Sequence, residues 1–93
     1  MSNRNVHSNP EQMRALVQVL IRSVNDLKEI RLRLARTLQA TDWHDAQRNA
    51  FEAEFQMTMT TLIKFIENCE QSHIVYLNQQ IRTLEEYLGR RPR

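Results

Sequence analysis

Residues 41–51 read Thr-Asp-Trp-His-Asp-Ala-Gln-Arg-Asn-Ala-Phe. They hold the densest set of side chains in the chain that could do chemistry. His44 stands between Asp42 and Asp45, an arrangement open to acid–base work or metal binding. Catalysis, however, needs several groups converging in a pocket, and a corner between two helices supplies no walls for one. Aspartates at such a place are helix caps, their oxygens accepting from free backbone amides. A second set is Cys69 and His73, four residues apart. Two copies of that pair meeting across an axis would form a Cys₂His₂ zinc site; a free Cys is also simply a small buried hydrophobe. A third is Arg31, Arg33 and Arg36, which could contact phosphates. Arg33 also follows Glu29 by four residues, a stabilising pair on a helix surface. The expectation is no catalytic residue, no metal and no cofactor, with Asp42, Trp43 and Asp45 forming a turn motif.

Two long elements must position that turn. Asn9 or Ser8 suits an N-cap, Pro10 the first helical position and Glu11 the positive end of the dipole. Met13, Leu20, Leu27 and Leu34 then recur every seven residues, and Val17, Val24 and Leu38 keep the same spacing, with Arg31 interrupting. A 3.5-residue period of this length marks a helix lying along another helix. After the corner, Phe51, Phe55, Leu62, Ile66 and Cys69 mark an apolar face. It continues through His73, Ile74, Leu77, Ile81, Leu84 and Leu88. Gly89 suits the residue just past a helix end, and Pro92 follows. The fold expected is all-α: an antiparallel hairpin with helix 1 about 10–40 and helix 2 about 43–88. One domain spans 1–93, with flexible tails at 1–8 and 89–93. Trp43 would fill the closed end, where the helix axes diverge.

Composition agrees. One Gly and two Pro cannot furnish the turns of a β protein. A single Cys rules out an internal disulfide. No window is apolar and long enough to span a bilayer. The N-terminus has no apolar core, so no cleaved leader is expected; the location expected is the cytoplasm, with any export proceeding leaderless. Residues 1–40 carry seven basic and three acidic side chains, and residues 41–88 three basic and eight acidic. The halves complement each other as helices packed side by side would, which speaks against nucleic acid as the partner.

Chain length suggests an overhang. With a tight corner, residue 73 comes level with residue 10, and Ile74–Leu88 projects past helix 1 with its apolar residues wet. Val17, Ile21, Met59 and Ile63 widen the apolar surface beyond one seam. Both features predict association, as an antiparallel homodimer forming a four-helix bundle or with a related hairpin. The expected interface comprises Met13, Val17, Leu20, Val24, Leu27 and Leu34 on helix 1. On helix 2 it comprises Phe51, Phe55, Leu62, Ile66, Ile74, Leu77, Ile81, Leu84 and Leu88.

The length, the two helices, the mid-chain Trp43 and the spacing of Ala50, Phe51 and Phe55 behind it resemble the WXG family. These are the early-secretory-antigen-like substrates and partners of type VII secretion. The family's turn reads Trp-x-Gly; here it reads Trp43-His44-Asp45. Its export signal, Tyr-x-x-x-Asp/Glu, has no match, since Tyr76 is followed by Gln80 and Tyr87 by Arg91. The resemblance implies a non-enzymatic protein–protein interaction module, a secreted substrate or targeting partner. Its partners would be itself, a related hairpin, a larger secreted effector or a secretion ATPase. The alternatives from other classes are a basic helical adaptor for nucleic acid and a structural subunit of a larger bundle.

Overall fold

The computed structural model describes residues 8–89. Of the tails expected at 1–8 and 89–93, residues 1–7 and 90–93 lie outside the described residues, while Ser8 is irregular and Gly89 is helical. All regular structure among the described residues is helical: α1 (Pro10–Ala40), α2 (Ala46–Asn68), a π-helical turn (Cys69–His73) and α3 (Ile74–Gly89). The last three form one continuous arm, which returns antiparallel along α1. Arg14 is ion-paired with Glu85, and Lys28 with Glu70 at 2.7 Å. The molecule is a rod of 71 × 24 × 16 Å.

The start of α1 follows the sequence signals. The Asn9 side chain accepts from the amides of Glu11 (2.9 Å) and Gln12 (3.2 Å), and Pro10 occupies the first turn. At its other end, Thr41 donates its hydroxyl to the Thr37 carbonyl (2.7 Å) while its backbone turns extended.

The core is a narrow seam. Val24, Ile66 and Cys69 form its centre, with Leu27 and Leu62 packed on them. Val17 lies to one side of this centre, and Ile81 and Leu84 are buried in α3. At roughly 1.5–3 kcal/mol per buried side chain, so few fully buried groups leave a single copy with a thin stabilising core.

The π-turn keeps the second arm in the seam. Apolar seam positions fall at 62, 66 and 69, then at 74, 77, 81, 84 and 88. All intervals are three or four except Cys69 to Ile74, which is five. An α-helix would rotate everything beyond that point away from α1. The π-turn takes up one extra residue, the Ile74 amide donating to the Cys69 carbonyl. The apolar face was expected to include both His73 and Ile74. The structure half-buries Ile74 and leaves His73 exposed.

The expected overhang is corrected. Ile81 and Leu84 are only 4% and 8% exposed, and Glu85 reaches Arg14. The segment 74–88 therefore lies along α1 and does not project past it. The excess length sits at the corner instead. From Arg14 to Ala40 is about 40 Å of helix, and from Ala46 to Glu85 about 58 Å. The difference is taken up by the Thr41–Asp45 link, whose two end residues are extended, and by the first turns of α2, which run beyond α1. Between Ala46 and Met57 no residue is buried, and only Arg48, Glu52 and Phe55 are half-buried. Burial explains the choice: this register spends α1 on the apolar stretch 74–88 and leaves the polar stretch 46–57 wet.

Two boundaries also shift. The second arm starts at Ala46, three residues later than expected, and Gly89 is the last residue of α3 and not the residue beyond it.

Candidate functional site

The corner is built by Asp45, Trp43 and Arg48. Asp45 is the N-cap of α2; its Oδ1 accepts from the Arg48 amide at 3.1 Å. The Arg48 guanidinium folds back and donates from Nη1 to the Trp43 carbonyl at 2.8 Å. The Trp43 amide in turn donates to the Thr41 carbonyl at 2.9 Å. Asp42, expected as a cap, caps nothing: its side chain is almost fully exposed beside His44, Nε2 lying 3.2 Å from Oδ1. Trp43 is half-buried and lies against Phe51, ring centroids 5.9 Å apart, and Phe51 stacks on Phe55 at 5.5 Å. Sequence reasoning missed Arg48. Its signal was its place three residues after a capping aspartate and five after the indole, within reach of both.

The other candidate sets separate. Cys69 is 1% exposed at the centre of the seam, whereas His73 is exposed. Among the described residues no group of three or more His, Cys, Asp or Glu side chains is placed to hold a metal. Arg31 is half-buried at its seam position; Arg33 and Arg36 are exposed, and Arg36 donates from Nε to the Leu32 carbonyl. No helix among the described residues is long and apolar enough to cross a membrane.

The residues expected at an interface divide in three. Val17, Val24, Ile66, Ile81 and Leu84 are buried inside one copy, so they cannot meet a partner. Met13, Leu20, Leu27, Phe55, Leu62, Ile74, Leu77 and Leu88 are half-buried along the same seam. Leu34 and Phe51 remain exposed. Val17, expected to widen the apolar surface, belongs to the seam instead.

What the seam leaves uncovered is two flanks of opposite character. Helical periodicity assigns each side chain to one of them, and the ion pairs fix which is which. One flank carries Arg14, Lys28, Glu70 and Glu85, bridged across the seam in two pairs. Ile21, Leu32, Met59 and Ile63 sit among these charges. On the opposite flank α1 presents Gln12, Leu16, Val19, Ser23, Ile30, Leu34 and Thr37. The second arm presents Phe51, Thr58, Thr61 and Phe65, then Tyr76, Gln80, Thr83 and Tyr87. Glu54 near the corner and Asp26, seven residues after Val19 along α1, are carboxylates of this flank, and His73 is an imidazole of it. Two shallow grooves lie on this flank, one at each end. The corner groove is lined by Leu34, Leu38, Trp43, Phe51 and Phe55, the other by Met13, Leu84 and Tyr87 with Gln80 and Thr83.

Compared with protein families, characterised proteins and solved structures, the chain matches none of them.

Proposed function

We propose that this chain is a non-enzymatic protein–protein interaction module, a helical hairpin that works by packing the flank opposite its two ion pairs against other helices. One observation carries this reading. The flank is two helices wide, runs from the Trp43 corner to Tyr87, and exposes Leu16, Val19, Phe65 and Tyr76 at about half or more of their surface. Contiguous apolar surface of this extent marks an interaction site.

The most economical product is a four-helix bundle, formed with a second copy or with a related hairpin. With its corner tryptophan, this architecture fits the WXG-like reading of a substrate or targeting partner of a type VII-like secretion system. The overhang no longer supports that assembly; the flank does. In that setting the projecting corner, with Trp43 and the first turns of α2, is the surface offered to a secretion ATPase or an effector.

The test has two arms. Affinity purification of the tagged chain from its native cell, at salt high enough to remove ionic contacts, should recover it with a stoichiometric helical partner or as a self-assembled species. Recovery as a lone monomer overturns the interaction reading. Culture fractionation with and without the membrane ATPase tests the secretion reading, which fails if the chain's location is unchanged.

A further inference from the structure

A third groove opens at the projecting corner, and no residue of α1 lines it. Its walls are Trp43, Gln47, Ala50, Phe51 and Glu54. The last four follow one another at intervals of three, one and three, which puts them on one stripe of α2. All four are exposed, because the first turns of α2 run beyond α1.

The chemistry of this groove is that of a cation site. Trp43 and Phe51 lie with ring centroids 5.9 Å apart and planes tilted by 39°. An aromatic face attracts a cation within about 6 Å of its centroid. Glu54 stands one turn beyond Phe51, and Ala50 between them adds only a methyl group, which leaves the space over the rings open. The Glu54 carboxylate is also uncommitted. The acids paired among the described residues are Asp42, Glu52, Glu70 and Glu85. The residues three and four positions from Glu54 are Ala50, Phe51, Met57 and Thr58, so no adjacent turn of the helix offers it a cation. The nearest arginine or lysine in the sequence, Arg48, donates to the Trp43 carbonyl and lies 3.7 Å from Glu52.

Two tilted rings beside a free carboxylate fit arginine better than lysine. A guanidinium is flat, stacks on an aromatic face and still presents paired N–H donors to a carboxylate, whereas an ammonium is a compact and strongly hydrated point charge. Resting on the interaction reading above, we infer that this groove takes an arginine side chain of a partner protein. The guanidinium stacks against Trp43 and Phe51 and is held by the Glu54 carboxylate, with the Gln47 side-chain carbonyl as a second acceptor. The open shape of the groove suits a side chain presented by a larger molecule, and the acidic balance of residues 41–88, three basic against eight acidic side chains, favours the approach of a basic segment.

The chain has a single tryptophan, so its indole reports on this corner alone. The experiment is an NMR titration of the isotope-labelled full chain with N-acetyl-arginine amide and with N-acetyl-citrulline amide, which has nearly the same shape without the charge. Ionic strength is held constant and the ligand is raised to about 200 mM, the range set by one stacked and one ion-paired contact. The Trp43 indole N–H and the amides of Ala50–Glu54 should shift along a binding curve with the arginine amide, and the citrulline amide should bind at least about threefold more weakly. Glu54→Gln should weaken arginine binding at least about threefold. Ala50→Leu, which fills the groove without changing its charge, should abolish the indole shift. Glu67→Gln, at an exposed acid further along α2, should leave the curve unchanged. All three substitutions fall at exposed helical positions and introduce good helix formers, and circular dichroism checks that helicity is kept. Equal binding of the arginine and citrulline amides, equal binding by wild type and Glu54→Gln, an indole shift that survives Ala50→Leu, or no binding curve at all overturns the site. The two readings fail separately. A partner recovered in the purification above, with no arginine binding here, overturns the groove and keeps the interaction module; a lone monomer there, with arginine binding here, overturns the interaction module and with it the partner.

Discussion

Arg14 and Glu85 form an ion pair across the open end of the hairpin. Both side chains are about half exposed, so the pair itself contributes at most about 1 kcal/mol. Its value is as a register mark: it places the last turns of α3 beside the first turns of α1, and the unpaired length of the second arm at the corner.

That register makes opposite ends of the second arm unequal. Leu84→Ala should cost about 2–4 kcal/mol, the range for truncating a buried leucine. Met57→Ala, at a side chain 72% exposed, should stay within about 0.5 kcal/mol. Urea unfolding followed by circular dichroism measures both. Had the free end projected, Leu84→Ala would be nearly silent.

The two aspartates of the corner should differ in the same way. Asp45→Ala removes the cap on α2 and should cost about 1 kcal/mol. Asp42→Ala, which touches only His44, should be neutral within about 0.5 kcal/mol. Equal losses in thermal unfolding would contradict the assignment of Asp45 as the cap.

Trp43 and Arg48 hold the link to the arm it precedes. Trp43→Ala loses the ring contact with Phe51 and should cost about 1–3 kcal/mol, and Trp43→Phe should recover part of it. Arg48→Ala should move the Trp43 fluorescence maximum to longer wavelength, since the guanidinium fixes the carbonyl of that residue. An unchanged spectrum would show that Arg48 does not position the indole.

The π-turn predicts an uncommon tolerance. Deleting Ser72 removes the one extra residue and restores an unbroken spacing of three and four, so stability should change by less than about 1 kcal/mol. Deleting Gln79 instead rotates Ile81, Leu84 and Leu88 out of the seam. At roughly 1.5–3 kcal/mol for each buried side chain, that should cost about 3–6 kcal/mol. Comparable losses for the two deletions would remove the register role of Cys69–His73.

Much of this was legible from the residues. The Asn9–Pro10 start, the heptads of α1 and the doubling back near Trp43 follow from caps and spacing. The register does not, because nothing in the residue types of Thr41–Asp45 specifies how far the link reaches before the second arm begins. Asp42 and Asp45 are equally good caps by type; the contact between Arg48 and the Trp43 carbonyl accompanies the later one. The π-turn was visible as a five-residue interval, but His73 filled the gap in the pattern and concealed it. The two flanks needed the register and the facing of both helices together. Ile21 and Ile63 look as apolar as Ile30 until Lys28, Glu70, Arg14 and Glu85 are seen to share their side.

The ion pairs from Arg14 to Glu85 and from Lys28 to Glu70 also work against runaway growth. Any helix laid over that side of the rod must strip water from both pairs, so the side resists the stacking that turns apolar rods into fibres.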